Sequence, residues 1–538
     1  MTAPGLNDGR CQIGYASVVE GPSQNSGGSS WLPHWLEDCP ESAALLLALG
    51  VALAIRLYLS LTSYCIAGDG VAYLGMARDF AAGEPAKALD NVFSPLYPYV
   101  VSLAHSLVTD WEVAGNLVSA LLGTAAIATV YYMTREVFER RDLAFGAAAL
   151  AAIHPELAAY AASVRTEAGF IFLMTGAMFA LVMSLKRDQM ALAAAAGAVG
   201  GLAYLYRTEA LGLLIFGPAF ISFGVIWRRW GFGWAICAAG LFAAAFLLVA
   251  SPYIIYLRIS TGHWMVSREF TAAMMYGMGD AARNGDAWRT LGYSKSISPF
   301  APLFANPRLY LEKVSGELVM SFYYFAQALG PVLSVMLILG LWRRGRRVFS
   351  NFGEAMLALI TLFYVFGFAF SYGGVRFMVH LIPYTFGWVV IGIEAASDAF
   401  RRAGTAAGWR LPQGVLAGAI ALALIPQTLW PIGYDMRGVR YAGEEIARRS
   451  DHQPRDVVAR DGRVAYYAGA RFILMPNQPG PDFCRWLTTH GDAGYLMIGE
   501  HDERRFKVAD GAACLKFLKR YPRYGSSYYD LFEIQHAN

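Results

Sequence analysis

Side chains that could act on a phosphate-bearing substrate recur at the ends of apolar runs in this sequence. Asp69 stands in Gly68-Asp69-Gly70, and the tripeptide Arg-Thr-Glu occurs twice, as Arg165-Thr166-Glu167 and as Arg207-Thr208-Glu209. Arg376 follows a Tyr-Gly-Gly turn. Guanidinium groups bind phosphate oxygens, and a carboxylate can take a proton from a hydroxyl. Any one of these residues alone is more simply explained as an ordinary loop residue or half of an Arg–Glu pair, so their meaning depends on a shared position.

The elements that must position these residues are membrane helices. The chain has 538 residues, of which 56% are hydrophobic and 16% charged, whereas soluble domains carry roughly 25% charged residues. The net charge of +4 is too small to indicate a nucleic-acid partner. The composition predicts a polytopic integral membrane protein.

A membrane helix needs about 20 apolar residues, and helices satisfy their own backbone groups in lipid. Eleven apolar runs predict an all-α membrane domain of about eleven transmembrane helices. They cover residues 42–61, 113–133, 143–162, 168–185, 191–206, 210–226, 232–257, 318–341, 355–371, 377–393 and 415–430.

The positive charges of the short loops predict the orientation of these helices. Fourteen fall on one side, and only five, Arg78, Lys87, Arg165, Arg207 and Arg376, fall on the other. Positive residues favour the cytoplasm, so the richer side should be cytoplasmic, with the N-terminus inside and the C-terminal region outside. The fourteen are Arg135, Arg140, Arg141, Lys186, Arg187, Arg228, Arg229, Arg343, Arg344, Arg346, Arg347, Arg401, Arg402 and Arg410.

Two long loops lie on the predicted outer side. The first, about 64–112, holds two helical segments, 71–82 and 95–107, which are too short to span a bilayer and are expected at its surface. The second, about 258–317, is typical of an ordered lid or binding loop. There Trp264 could lie against a sugar and Arg268 near a phosphate, although interface aromatics in a folded loop explain the pattern equally well.

The sequence predicts a disordered cytoplasmic tail (1–41, most clearly 1–30), the membrane domain (42–431) and a small extracytoplasmic α/β domain (435–538). The last should contain helices at 443–449, 482–489 and 511–519 and strands at 456–459, 495–499 and 528–534. Cys484 and Cys514 in this domain could form a disulfide outside the cytoplasm, or remain two buried thiols. The six cysteines show no zinc-binding spacing.

Several motifs resemble those of the GT-C class of membrane glycosyltransferases, and more narrowly the family of protein O-mannosyltransferases, aminoarabinose transferases and bacterial lipopolysaccharide sugar transferases. The resemblance extends over about 42–431. It is carried by Gly68-Asp69-Gly70-Val71-Ala72-Tyr73-Leu74, Ser94-Pro95-Leu96-Tyr97-Pro98, His154-Pro155-Glu156, Val164-Arg165-Thr166-Glu167 and Arg376-Phe377.

The resemblance implies an inverting transfer of a hexose or pentose from a polyprenyl-monophosphate donor. It makes Asp69 the candidate general base, and Arg165, Arg207 and Arg376 the candidates for the donor phosphate. The other candidates for substrate binding are Tyr73, Glu167, Glu209 and Arg268.

The sequence departs from the family at Gly70, where many relatives have a second acidic residue. The expectation is therefore that no protein-bound metal is obligatory. A divalent cation held by Asp69 and Glu167 stays open, although hard cations want several oxygen ligands.

Two other classes of protein fit parts of the sequence. A lipid or sugar transporter or flippase would share the topology, but matching broken helices in two halves are not visible. A polymerase or ligase using diphosphate-linked glycans would share the arginines on the outer side. The acceptor could be a lipid, a glycan or a protein hydroxyl, and the expected location is the bacterial inner membrane.

Overall fold

The computed structural model describes residues 40–226, 230–269, 273, 304, 306–406, 414–450, 455–476, 483–489, 492–506, 514–523, 525 and 527–535. The predicted disordered tail and most of the second long loop lie outside these residues. So do Arg228, Arg229 and Arg410 of the predicted cytoplasmic set.

The described chain is helical from Glu41 to Thr428. Its helices are α1 (Glu41–Leu61), α2 (Gly68–Ala81), α3 (Pro85–Leu89), α4 (Leu96–His105), α5 (Trp111–Phe138), α6 (Arg141–Ile153), α7 (Pro155–Tyr160), α8 (Glu167–Arg187), α9 (Met190–Tyr206), α10 (Leu211–Ile226), α11 (Phe232–Thr261), α12 (Pro307–Leu329), α13 (Pro331–Arg344), α14 (Arg347–Ser350), α15 (Phe352–Phe368), α16 (Val375–Met378), α17 (Ile382–Ala406) and α18 (Val415–Thr428). Short 3₁₀ turns at Thr208–Ala210 and Val379–Leu381 lead into α10 and α17.

Among the described residues, six helices are long and apolar enough to cross a membrane, or seven if the bent pair α12–α13 is one span. Helices α9, α15 and α18 are apolar but shorter. Each of the eleven predicted runs contains helix, which agrees with a polytopic membrane fold.

Two of the predicted runs are not single straight helices. The run 143–162 breaks between α6 and α7 at His154, and the run 318–341 bends by 105° at Gly330 between α12 and α13. Each break is followed by a proline, Pro155 or Pro331, which has no N–H for the helical ladder and disfavours helix in the preceding residue.

Arg56 compensates the break in the first of these runs. This residue of α1 is 1% exposed, and its guanidinium donates to the carbonyl oxygens of Ala152 at 3.3 Å and Ala151 at 3.4 Å. Those carbonyls end α6, where no following turn supplies donors. A cation at a helix C-terminus also interacts favourably with the negative end of the helix dipole. The burial of Arg56 is therefore explained by its contacts with α6.

Glycines allow pairs of helices to approach closely. A Cβ at Gly197 of α9 would meet the Phe242 carbonyl of α11, and one at Gly340 of α13 would meet the Trp388 carbonyl of α17. Small residues have this use in membrane bundles, where van der Waals packing drives helix association. These contacts fix the helices whose ends carry the candidate residues.

The C-terminal region is a small α/β domain. Its helices are α19 (Arg437–Arg449), α20 (Arg463–Ala468), α21 (Phe483–Thr489) and α22 (Glu500–Phe506), and its strands are β1 (Asp456–Ala459), β2 (Phe472–Leu474), β3 (Ala493–Gly499), β4 (Leu515–Pro522) and β5 (Tyr528–Ile534). The strand order is β2-β1-β3-β5-β4, with β1 parallel to β2 and β3, and β5 antiparallel to β3 and β4. Cys484 and Cys514 form a disulfide.

The predicted helix at 511–519 is wrong over its described part, because this segment begins strand β4. Leu515, Leu518 and Tyr521 are spaced by three residues, which resembles one face of a helix. In the structure the register of β4 against β5 shifts between Phe517 and Lys519. A bulge of this kind inserts one residue and turns the following side chains over, so an irregular strand carries a helix-like pattern.

Candidate functional site

Asp69 lies in the first turn of α2. This turn is at one end of the helical bundle, and we call that end of the bundle the site end. Its carboxylate forms an ion pair with the guanidinium of Arg376 from α16. The Asp69 side chain is 35% exposed. A partly exposed carboxylate can meet a substrate and still be oriented by its partner.

Glu167 lies at the same site end, and its carboxylate is buried between two arginines. It begins α8, is 3% exposed, and accepts from Arg376 and, at 3.1 Å, from Arg207. Because an isolated buried carboxylate is costly, two guanidinium partners account for its burial. Arg376 therefore bridges Asp69 and Glu167.

Arg207 extends the network to the second Arg-Thr-Glu turn. Its guanidinium donates to Glu209 at 3.1 Å and to the Thr166 hydroxyl at 3.1 Å, and its carbon centre lies 5.4 Å from the centre of the Phe377 ring. Such a cation–π contact further stabilises the position of the guanidinium. The two turns that the sequence repeats are thus joined side by side.

Five of the eight predicted site residues form this single arrangement, which we call the ion-pair network. Its members are Asp69, Glu167, Arg207, Glu209 and Arg376. Arg207 and Arg376 each contact two carboxylates, and Arg207 is 7% exposed. Their immediate role is to hold these carboxylates, and any contact with a donor phosphate would be added to that role.

Arg165 differs from the two network arginines. Its guanidinium stacks over the Tyr160 ring at 4.9 Å, and its carbonyl accepts from the Ser119 hydroxyl at 3.2 Å. Within the described ranges no carboxylate lies at ion-pair distance from it. Glu156 and Glu167 interact with it electrostatically over a longer range. A partly exposed guanidinium outside a close ion pair can still contact an incoming phosphate.

Tyr73 lies one helical turn after Asp69, on the buried side of α2. Its ring packs edge-on against Tyr97 at 5.5 Å, whose hydroxyl bonds the Gly115 carbonyl at 3.1 Å. Burial, and then the Asp69 carboxylate, raise the pKa of Tyr73. Tyr73 supports the first turn of α2, and its 3% exposure leaves little surface for a substrate.

Arg268 takes no part in the ion-pair contacts of the network. It forms an ion pair with Asp90 at 2.8 Å and so ties the second long loop to the first. Trp264 is 73% exposed, with Arg258 5.8 Å from its ring. The structure thus gives Arg268 a loop-joining contact and leaves Trp264 at the surface.

Sequence analysis did not select Glu269, which lies beside this network. Its carboxyl interacts electrostatically with Glu209, Arg207, Arg376 and Asp69. Burial, and then the Glu209 carboxylate, raise the pKa of Glu269 to about 7. Its only signal in the sequence was its place directly after a candidate arginine, in a loop without a recognisable motif.

The raised pKa of Glu269 gives a pH-dependent prediction. Since this pKa lies above the ordinary 4.5, the folded protein keeps a proton that the unfolded chain releases, so stability should fall as the pH rises between these values. Above pH 7 the ionised carboxylate should also repel the anionic donor that the family resemblance implies. We expect the donor KM to rise about fivefold between pH 6 and pH 8, equivalent to a repulsion of roughly 1 kcal/mol.

The measurement is the donor KM across this pH range for the wild type and for Glu269→Gln. The variant should show a flat profile, and Glu84→Gln, in the first long loop, should keep the wild-type rise. A pH-dependent KM that survives in Glu269→Gln would assign the effect to another group.

The network does not fit a divalent cation shared by Asp69 and Glu167. The Arg376 guanidinium contacts both carboxylates and so takes the place that such a cation would need. Among the residues that the structure describes, no group of three or more His, Cys, Asp or Glu side chains could hold a metal ion. We therefore derive no step through a metal.

Comparisons with known proteins find similarity to membrane transferases. Residues 92–256 match the family described as dolichyl-phosphate-mannose-protein mannosyltransferase. The apo structure of ArnT from Cupriavidus metallidurans is similar with a TM-score of 0.55 at 13% identity, covering 91% of this chain and 98% of that one. The same protein bound to undecaprenyl phosphate gives a TM-score of 0.54 over the same shares, also at 13% identity.

The oligosaccharyltransferase AglB from Archaeoglobus fulgidus, in complex with an inhibitory peptide and a dolichol-phosphate, is 14% identical with a TM-score of 0.48, covering 92% of this chain and 74% of that one. No curated protein sequence matches the chain. The family match and the ArnT-like fold confirm the predicted resemblance to GT-C-class membrane glycosyltransferases.

Proposed function

We propose that this protein transfers a single sugar, with inversion, from a polyprenyl-monophosphate carrier to a hydroxyl acceptor at the extracytoplasmic face of the membrane. The observation that carries the proposal is the pairing of a partly exposed carboxylate, Asp69, with a guanidinium partner in a chain whose fold resembles that of ArnT. ArnT has been solved with undecaprenyl phosphate, which supports a carrier of that chemical class here.

In the proposed reaction Asp69 accepts the proton of the acceptor hydroxyl. The oxygen then attacks the anomeric carbon, the bond from that carbon to the phosphate oxygen breaks, and the bonding pair leaves with the polyprenyl phosphate. Arg165 would neutralise the second negative charge that develops on the leaving phosphate. Arg376 keeps Asp69 oriented, and an ion pair with the buried Glu167 holds Arg376 in place.

The position of the network favours transfer over transport. The charged groups gather where α2, α8 and α16 begin, whereas transporter sites lie near the middle of the bilayer. A diphosphate-dependent polymerase or ligase would share these arginines, and products with several sugars would distinguish it from a single-sugar transferase.

The deciding assay uses the purified full chain in proteoliposomes with a panel of radiolabelled polyprenyl-monophosphate sugars. We expect release of the polyprenyl phosphate and the appearance of one sugar per acceptor molecule in an envelope lipid and glycan extract. Movement of the labelled lipid between leaflets without transfer would favour a flippase, and products with several sugars would favour a polymerase or ligase.

The disulfide provides a test of orientation. Disulfides persist in oxidising compartments and are rare in the cytosol, so an extracytoplasmic C-terminal domain should contain an oxidised Cys484–Cys514 pair in cells. Trapping thiols with a maleimide polymer before and after reduction should reveal two additional reactive cysteines only after reduction.

The double variant Cys484→Ser/Cys514→Ser is the control and should show no increment. Closing a loop of this length typically contributes about 3 kcal/mol, so the same variant should also unfold at lower temperature. A fully reduced pair in cells would argue for a cytoplasmic domain.

A further inference from the structure

The C-terminal domain contacts the short segment that leads into α2, just ahead of Asp69. The N–H of Ile66 donates to the Tyr467 hydroxyl of α20 at 2.7 Å. The same hydroxyl lies 3.3 Å from a carboxylate oxygen of Glu112, at the start of α5. One side chain of the C-terminal domain therefore joins the α2 entry to a membrane helix.

Further contacts bind the same segment from both sides. The Arg463 guanidinium, fixed by Asp461 at 2.8 Å, reaches the Ile66 carbonyl at 3.5 Å. The N–H of Tyr64 donates to the Ile432 carbonyl at 2.9 Å. Cys65, between them, is 2% exposed and packs in a core cluster of the C-terminal domain.

The middle of the segment is held by residues that are distant in the chain. Residues 63–67 lie between α1 and α2, and Ala67, which precedes α2, makes no side-chain capping bond. Asp69 is in the following helical turn, so a displacement of the Ile66 peptide is transmitted through the helix to its carboxylate.

The far half of α2 contacts Tyr466, the residue that precedes Tyr467 in α20. Arg78 lies 5.6 Å from the Tyr466 ring and 5.7 Å from the Trp111 ring. Tyr467 thus contacts the segment that leads into the helix of Asp69, and Tyr466 contacts the far half of that helix.

We propose that Tyr467 is a positioning residue, which sets the place of Asp69 through the Ile66 peptide and so makes the C-terminal domain part of the active site. This inference rests on the proposed function, because it assigns Tyr467 a part in the transfer by Asp69. The physical basis is that a displacement of about 1 Å at reacting groups can cost up to a hundredfold in rate.

The test is Tyr467→Phe in the full chain, which keeps the ring and removes the hydroxyl. We expect kcat to fall about tenfold with the donor KM within about twofold, since orientation of the base changes and donor contacts do not. The matched control is Tyr521→Phe in the same domain, whose buried hydroxyl has no hydrogen-bond partner among the described residues. That control should keep wild-type kcat.

A second measurement does not depend on activity. Burial raises the pKa of the Cys65 thiol to about 12, so it should react slowly with a maleimide while the segment is in place. Because the Tyr467 hydroxyl also bonds the Cys65 thiol and lowers its pKa, the labelling rates are compared after correction for the thiol pKa, taken from the pH profile of labelling of each variant. On that basis, in a Cys11→Ser/Cys39→Ser/Cys237→Ser background, Tyr467→Phe should accelerate labelling of Cys65 about fivefold, the effect of one lost hydrogen bond. Tyr521→Phe should leave the labelling rate unchanged.

Faster labelling together with a reduced kcat supports the proposal. Wild-type kcat in Tyr467→Phe overturns it, whether or not labelling changes, and so does a reduced kcat with unchanged labelling. If Tyr467→Phe does not accumulate, Arg463→Gln is the alternative variant, because it removes the contact with the Ile66 carbonyl. It should also lower kcat and accelerate labelling of Cys65. If the wild type itself transfers no sugar, the proposed function fails, whereas the labelling still reports whether Tyr467 holds the segment.

Discussion

Asp69→Asn is expected to lower kcat about a thousandfold without preventing expression or membrane insertion. An amide cannot accept the proton of the acceptor hydroxyl, and general-base help is typically worth 10²–10⁴ in rate. The amide is close in shape to the carboxylate, and Glu167 keeps Arg376 in an ion pair. The loss should therefore appear in kcat and much less in the donor KM.

The measurement is single-turnover transfer in proteoliposomes, with the thermal unfolding midpoint as a check on folding. Asp79→Asn is the matched control, because Asp79 lies on the same helix and pairs with Lys87 at 2.6 Å. It should retain full activity. Near-wild-type turnover by Asp69→Asn would remove Asp69 from the mechanism.

Arg165→Gln and Arg207→Gln are expected to fail in different ways. Arg165→Gln should lower kcat by about 10²-fold, because stabilisation of a developing charge is lost, and should leave the unfolding midpoint unchanged. Arg207→Gln should destabilise the protein by about 3 kcal/mol, because removing one partner leaves buried carboxylates uncompensated. The partners at risk are Glu167 and Glu209.

Thermal unfolding in detergent and transfer kinetics on the same preparations separate the two outcomes. Arg187→Gln, at the exposed end of α8, serves as a control for the loss of one arginine and should change neither quantity. A stable, inactive Arg207→Gln together with an active Arg165→Gln would exchange the roles that we assign to these two arginines.

The candidate residues and their common membrane face could be predicted from the sequence, but which of them are in contact could not. The repeated Arg-Thr-Glu pattern and the position of Asp69 and Arg376 at helix ends predicted a common membrane face. That Arg376 bridges Asp69 and Glu167, separated by 307 and 209 positions from it, depends on how the helices pack. The same packing leaves Arg165 outside these ion pairs and brings Glu269 beside the network.

Predictions for the fold succeeded where the hydrophobic pattern is long and strong. The runs near α1, α5 and α8 were predicted within a few residues, because a bilayer requires long apolar helices whatever surrounds them. Strand β4 was predicted as helix, because a bulge imitates a three-residue period and the pairing with β5 that selects a strand is non-local.

The sequence by itself determined that this is a polytopic membrane protein, that its charged candidates gather near one end of the helices, and that it resembles GT-C-class transferases. These properties follow from composition, helix length and local motifs, which need no knowledge of distant contacts. The tertiary structure alone decided which guanidinium meets which carboxylate and that Tyr467 reaches the Ile66 peptide. The contacts of Arg376 and Tyr467 join residues 209 to 401 positions apart, which only the packing of helices and of the C-terminal domain brings within a few ångströms.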